Sequence, residues 1–312
     1  MRALLVAVGL VCGSAFAVYP SFVQLDMTDA VTHRVVRDVS LDDYRQAVDG
    51  RAPFPYQWRM LGPWIVRAGE RALHVDPHAI DAAVRIAALA LSALALGLFA
   101  ARIATPAIAI ASVGFYFALT AGAYASQVYS IYYTSDYLMI AGWFWAVYLL
   151  GTDRLALAAA AVFAGAWAKE TLLLAPILAG FQWLRRREQV GRALAIAIAF
   201  AIPTAALRLM YRAPVSAWAW WDAARNNVPF LDPARVGWTL RYTLKVLAFY
   251  NVGWILAARA AWRSRDPFVR DLALTCGVYL ILAYIVVYVR ELRHFLPLAI
   301  LILPLSIREI AS

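Results

Sequence analysis

Apolar residues fill this chain in long unbroken runs, separated by short polar connections rich in arginine. Crossing the hydrocarbon core of a bilayer as a helix takes about 20 apolar residues, with a range of roughly 17 to 25. Apolar runs occupy 3–22, 80–101, 106–126, 137–150, 193–209, 240–258, 272–289 and 295–307, and each predicts a membrane-spanning helix. One more run, 155–184, reads LALAAAAVFAGAWAKETLLLAPILAGFQWL, with Lys169 and Glu170 in its middle. As a single helix it would extend about 45 Å at 1.5 Å per residue, too long for a core of about 30 Å. A charge at membrane depth costs several kcal/mol and is found facing a partner, a cavity or a substrate.

The basic connections decide how that run folds. They hold Arg2, Arg102, Arg154, the Arg185-Arg186-Arg187 run with Arg192, the Arg259/Arg263/Arg265/Arg270 stretch and Arg308. The positive-inside rule places all of them in the cytoplasm. That is self-consistent only if 155–184 crosses twice, as two short helices with Lys169-Glu170 at the outer turn. The expected fold is all-α: a polytopic integral membrane protein of about ten transmembrane helices, in the cell (inner) membrane with both termini cytoplasmic. Halves of about 14 residues are short for spanning, so they are expected in a thinned or protein-lined region, or with the turn inside the outer leaflet. Two long outer segments remain, 23–79 and 211–239. Within them, 59–73 and 214–225 have the apolar and basic faces of helices lying in the interface plane. No linker, low-complexity tract or internal repeat divides the chain, so residues 1–312 read as a single membrane domain.

Composition agrees with this reading. The chain of 312 residues is 63% hydrophobic and 15% charged, with mean hydropathy +0.66. Soluble domains are about half apolar and about a quarter charged. The net charge of +10 is explained by orientation and by contact with anionic membrane lipids, not by nucleic acid. Cys12 and Cys276 both lie inside apolar runs, which argues against a disulfide. The N-terminal stretch, with Arg2, an apolar run and Ser14-Ala15-Phe16-Ala17, has features of a cleavable signal peptide. It also reads as an uncleaved first span, which is the expectation favoured for a polytopic chain.

Every unusual polar residue near a span end then falls on the outer side. Asp136 opens the fourth span, where a helix cap is its plainest role. Lys169 and Glu170 mark the turn, and Glu291 with Arg293 opens the last span. Arg208 and Arg241 flank the second outer segment. The first contributes Asp26, Asp29, Asp38, Asp42, Asp43 and Asp49, with Arg59. Charges of both signs on one face predict a polar cavity open to the outside. Tyr129, Tyr132, Tyr133 and Tyr137 crowd the same side, as do tryptophans of both outer segments, a pattern expected of interface anchors. His33, His74, His78 and His294 lack metal-ligand spacing, so no metal site is assigned and no cofactor is required; a divalent metal is left open.

The layout resembles that of GT-C-type membrane glycosyltransferases. Asp43-Tyr44 followed by Gly50, then PFPYQWRMLGPWIVR at 53–67, is similar to the first-loop pattern of bacterial GT-C-like proteins. TSDYLM resembles their aspartate at the start of a middle span, and WAKETLLLAPIL their lysine–glutamate turn. NVGWIL and RELRHFLPL resemble their late spans. The resemblance covers most of the chain. It implies a GT-C fold and an inverting transfer of sugar from a polyprenyl-phosphate-linked donor to a glycan, lipid or protein acceptor on the non-cytoplasmic face. It also implies a first-loop acid as general base, drawn from Asp26, Asp29, Asp42 and Asp43. Substrate and phosphate binding would fall to Arg59, Asp136, Lys169, Glu170, Glu291 and Arg293. Unlike many members, the chain is not expected to carry an exported globular domain after its last span. Two other readings stand beside it: a transporter or flippase of a lipid-linked or anionic substrate, and an envelope assembly protein without catalysis, or another envelope transferase.

Overall fold

The computed structural model describes residues 2–29, 33–52, 59–125, 129–211, 225, 227, 236–286 and 291–312. The described chain is helical, and its one β feature is an isolated bridge between Thr28 and Val35. In order, the helices are α1 (Arg2–Phe22), α2 (Val36–Val48), α3 (Leu61–Leu73), α4 (Pro77–Ile103), α5 (Pro106–Ala125), α6 (Thr134–Gly151), α7 (Leu155–Ala166), α8 (Leu174–Arg185), α9 (Val190–Met210), α10 (Val236–Tyr250), α11 (Gly253–Arg263), α12 (Pro267–Val286) and α13 (Ala299–Ala311). Short 3₁₀ segments include Ile131–Tyr133, Glu170–Leu173 and Leu292–Leu298.

Six of these stretches are long and apolar enough to cross a membrane, or seven if the bent pair α10–α11 counts as one span. α6, with its polar first turn, and the short α7 and α8 fall outside that set, which is why the figure is below the expected ten. Large apolar side chains such as Leu4, Phe16, Ile198, Ile202, Leu244 and Ile281 are exposed on α1, α9, α10 and α12, as lipid contact requires. The core is built on α6 and α13, whose side chains are buried along most of their length.

Local chemistry explains several boundaries that differ from the expected ones. α4 starts at Pro77 because the Asp76 side chain caps it, accepting from the His78 backbone N–H at 2.9 Å, and proline suits a first helical position. The span 240–258 is not one straight helix. It bends by 61° between α10 and α11, at Asn251, which takes the left-handed φ of 48°. The last span begins as the 3₁₀ segment Leu292–Leu298, with Pro297 inside it, before α13. The described residues of 23–79 are largely helical: α2 and α3 pack against each other and the 3₁₀ turn Ile131–Tyr133, and α3 against α4. Most of 211–239, the second segment expected on the outer side, lies outside the described residues, including 214–225 apart from Arg225.

The run 155–184 folds as α7 and α8, each of 12 residues, joined through Lys169 and the 3₁₀ segment Glu170–Leu173. Both helices pack on α9. Asp153, just before α7, pairs with Arg192 at the start of α9 at 2.7 Å, and Arg185 closes α8 just before α9 begins. Ala166 and Glu170 instead lie by Thr204, Leu207 and Arg208, near the far end of α9. The chain therefore doubles back at Lys169-Glu170. α7 approaches α6 so closely that a Cβ on Gly142 would sit 3.2 Å from the Gly165 Cα, a contact only small residues permit.

The basic connections meet at one end of the bundle. Arg102 faces Asp266 at 3.7 Å, Arg192 pairs with Asp153, Arg185 with Asp271, Arg259 with Glu309 at 3.0 Å, and Arg308 donates to the Ile103 carbonyl at 3.2 Å. In a cysteine-free background, single cysteines at Thr171 and Arg102 are expected to react with a membrane-impermeant thiol reagent from opposite sides. Labelling of both from the same side would refute the doubled-back arrangement.

Candidate functional site

The turn between α7 and α8 is shaped by its own sequence. α7 ends at Ala166, and the Trp167 carbonyl accepts from the Leu61 backbone N–H at 3.2 Å, tying the start of α3 to the turn. Lys169 is extended, with φ −164°, and leads into the 3₁₀ segment. Pro176 sits in the first turn of α8, where a missing N–H costs nothing.

Lys169 and Glu170 do not pair with each other. The Lys169 ammonium lies 2.6 Å from the Asp136 carboxylate. Arg293 engages the other oxygen of Asp136 and, through its second terminal nitrogen, Glu291. Glu291 is also hydrogen-bonded to the His294 ring at 3.0 Å. Glu170 pairs with Arg59 at 3.0 Å, and the Arg59 carbonyl accepts from Ser135 Oγ at 3.1 Å. The Arg293 guanidinium stacks over the Tyr133 ring at 3.9 Å, a cation–π contact. The six residues expected to bind substrate or phosphate thus meet in a network of two adjoining parts, Lys169–Asp136–Arg293–Glu291 and Arg59–Glu170, with three cations and three anions in all.

Burial divides the network. Asp136 and Lys169 are each 2% exposed and Arg293 is 4%, whereas the Glu170 side chain is 40% exposed. Asp136 is not a helix cap: it lies inside the first turn of α6 and spends its carboxylate on two cations. A small cavity of about 10 Å³, lined by Ala166, Glu170, Thr204, Leu207 and Arg208, sits beside the more open pair.

The first-loop acids separate just as clearly. Asp26 is exposed and pairs with Arg37 at 3.1 Å. Asp42 pairs with Arg34 at 2.9 Å and lies 3.7 Å from Arg45. The Asp29 backbone closes a turn with Arg34 and His33. Asp38 lies in the first turn of α2, and Asp49 pairs with Arg51 at 2.6 Å. Asp43 is half-buried; burial, and then the neighbouring Asp42 charge, push its carboxyl up to about 6. The Asp43 carbonyl accepts from Tyr132 Oη at 3.0 Å, and Tyr132 immediately precedes the Tyr133 that lies beneath Arg293. The backbone bearing Asp43 is thereby fastened to the turn that leads into Asp136.

No protein-family model, curated protein or solved structure matches the chain. The site is therefore read from its own geometry and from its motifs. Among the described residues, no group of three or more His, Cys, Asp or Glu side chains is placed to hold a metal ion.

A second buried polar cluster escaped the sequence reading. Asp81 and Arg85, both fully buried one turn apart on α4, form an ion pair at 2.8 Å. Tyr129 and Thr134 donate to Asp81, and Arg85 donates to Thr134 Oγ1 at 3.0 Å and to the Ser130 carbonyl at 2.7 Å. One turn further out, His78 is hydrogen-bonded to Ser40 and, at 3.1 Å, to Asp76. An acid and an arginine four residues apart at the end of an apolar run were the available signal. The tyrosines change role as well: Tyr129, Tyr132 and Tyr137 are almost fully buried in this polar layer, whereas interface anchors were expected.

Removing one member of a buried ion pair strands its partner's charge, at a typical cost of about 3–5 kcal/mol. Lys169→Met and Arg85→Leu are each expected to lower stability on this scale, read by thermal unfolding in detergent. Asp26→Ala, at an exposed pair, is expected to change it by less than about 0.5 kcal/mol. Equal losses for all three would remove the distinction between buried network and surface pair.

Proposed function

We propose that the chain is a GT-C-type glycosyltransferase of about ten spans, resident in the cell membrane with cytoplasmic termini. In this reading it transfers a sugar from a polyprenyl-phosphate-linked donor to an envelope acceptor on the non-cytoplasmic face. The observation that carries the reading is the joining of Arg59, Asp136, Lys169, Glu170, Glu291 and Arg293. These residues come from four segments distant in sequence, and the motif resemblance nominates each of them.

The chemistry divides as burial divides the network. An acceptor hydroxyl is a weak nucleophile, and a carboxylate positioned to take its proton accelerates attack by roughly 10²–10⁴. Among the first-loop acids Asp43 suits the task best, since its carboxyl is pushed up to about 6, towards the range in which a base accepts a proton near neutrality. The leaving lipid phosphate gains charge as the glycosidic bond breaks and needs a fixed cation. Arg59 fits this role, because its partner Glu170 is the most open member of the network and a guanidinium takes a phosphate in bidentate fashion. Lys169 and Arg293, buried against Asp136, organise the site and do not touch substrate. The bend at Asn251 would suit a transporter, but no ionisable side chain lies within the break itself, Asn251-Val252.

In a deletion strain, envelope glycans are expected to lose one sugar and the matching lipid-linked sugar to accumulate. Asp43→Asn, inserted at normal levels, is expected to reproduce that defect, with transfer at least about 100-fold slower. With wild-type protein, kcat/KM is expected to fall about tenfold per pH unit below pH ~6, because protonation of Asp43 removes the base. An unchanged glycan and lipid profile would exclude the transferase reading. Full activity of Asp43→Asn would reject Asp43 as the base.

A further inference from the structure

An apolar cavity of about 610 Å³ lies apart from the charged network, between α11, α12 and α13. One wall is Ala257, Ala258 and Ala261; the facing wall includes Ala273 and Gly277. These small side chains leave the width open: a Cβ built on Gly277 would meet nothing within 4 Å. Along α12 the cavity runs from Arg270 to Leu280, about 15 Å at 1.5 Å per residue. Its far limit is Leu298, where the last 3₁₀ segment ends.

The near end is chemically different. Arg270 and Trp262 stand there, at the bundle end where the basic connections gather. Trp262 is 86% exposed, an arrangement that suits the headgroup level of a membrane. Arg270 donates through Nε to the Ser264 carbonyl at 2.8 Å, which orients its guanidinium. No carboxylate among the described residues lies within ion-pair distance of it. The two acids of this connection are engaged elsewhere, Asp266 by Arg102 and Asp271 by Arg185. Arg265 and Arg270 therefore leave the local field positive. Basic pockets between transmembrane helices are suited to anionic headgroups, and an apolar slot of this length is suited to a hydrocarbon chain.

We propose that this groove binds one anionic diacyl phospholipid, with an acyl chain between α11 and α12 and its phosphate on Arg270. The proposal is independent of the transferase reading, since the groove shares no residue with the charged network. Charge complementarity selects the occupant: a zwitterionic lipid would bring a second cation to an already positive rim.

Native mass spectrometry of the full chain in detergent tests it, with phosphatidylglycerol, phosphatidylcholine and a polyprenyl phosphate as probes, each at equal concentration. The wild-type protein is expected to keep one phosphatidylglycerol in preference to phosphatidylcholine. Arg270→Gln is expected to weaken that retention about fivefold, the factor for one lost phosphate contact. Gly277→Leu, which places a side chain in the open slot, is expected to abolish it, and thermal unfolding reports whether either variant is folded. Equal retention of the two phospholipids by the wild-type protein, a measurement that needs no variant, would overturn the proposal. So would undiminished binding by folded Gly277→Leu, or preferential retention of the polyprenyl phosphate that Gly277→Leu abolishes and Arg59→Gln leaves intact.

Discussion

One buried carboxylate sets the terms for the rest of this molecule. Asp136 enters the bundle in the first turn of α6, and a lone charge in that environment would cost several kcal/mol. Lys169 and Arg293 compensate it, so the α7–α8 turn and the last 3₁₀ segment must both reach the start of α6. Packing follows from that meeting. α7 lies along α6 through the Gly142–Gly165 approach, and Trp143 donates to the Pro297 carbonyl at 3.0 Å. The shortness of α7 and α8 is consistent with the same demand, since their joining turn must lie at the depth of Asp136.

A second buried charge pair does for the segment 23–79 what Asp136 does for the later helices. Asp81 and Arg85 gather Tyr129, Ser130 and Thr134, and His78 holds Ser40 of α2. The 3₁₀ turn Ile131–Tyr133 lies between the two layers, with Tyr132 holding the backbone of Asp43 and Tyr133 supporting Arg293. A segment that composition alone describes as an acidic loop thereby becomes a packed cover with a defined position for one acid. This continuity distinguishes Asp43 from the surface-paired Asp26 and Asp42, and it is what the proposed role of Asp43 rests on.

The two ends of the bundle use charge differently. At the basic end, Arg192–Asp153 and Arg259–Glu309 are open pairs that contribute little stability but hold connections together. At the other end, Asp136, Lys169, Arg293, Asp81 and Arg85 are buried and ion-paired. Buried pairs of this kind are a weak source of net stability, because desolvation offsets their attraction. Their presence is better explained by what they position than by how tightly they hold.

Much of the layout was legible in the residue pattern. Apolar runs of spanning length mark a helical membrane protein, because lipid tolerates only internally bonded backbone. The arginine distribution separated the two ends and forced the Lys169-Glu170 run to double back, since charge bias and run length are both one-dimensional properties. What the sequence could not supply was partnership. Lys169 bonds Asp136 and not its neighbour Glu170, and Glu170 bonds Arg59, because ion pairing depends on which segments the fold brings within reach. The bend at Asn251, the helices within 23–79 and the different surroundings of Asp26, Asp42 and Asp43 belong to the same class. Residue order determined which groups share an end of the molecule; only tertiary structure decided which of them touch and which are buried, because both depend on contacts between segments far apart in the chain.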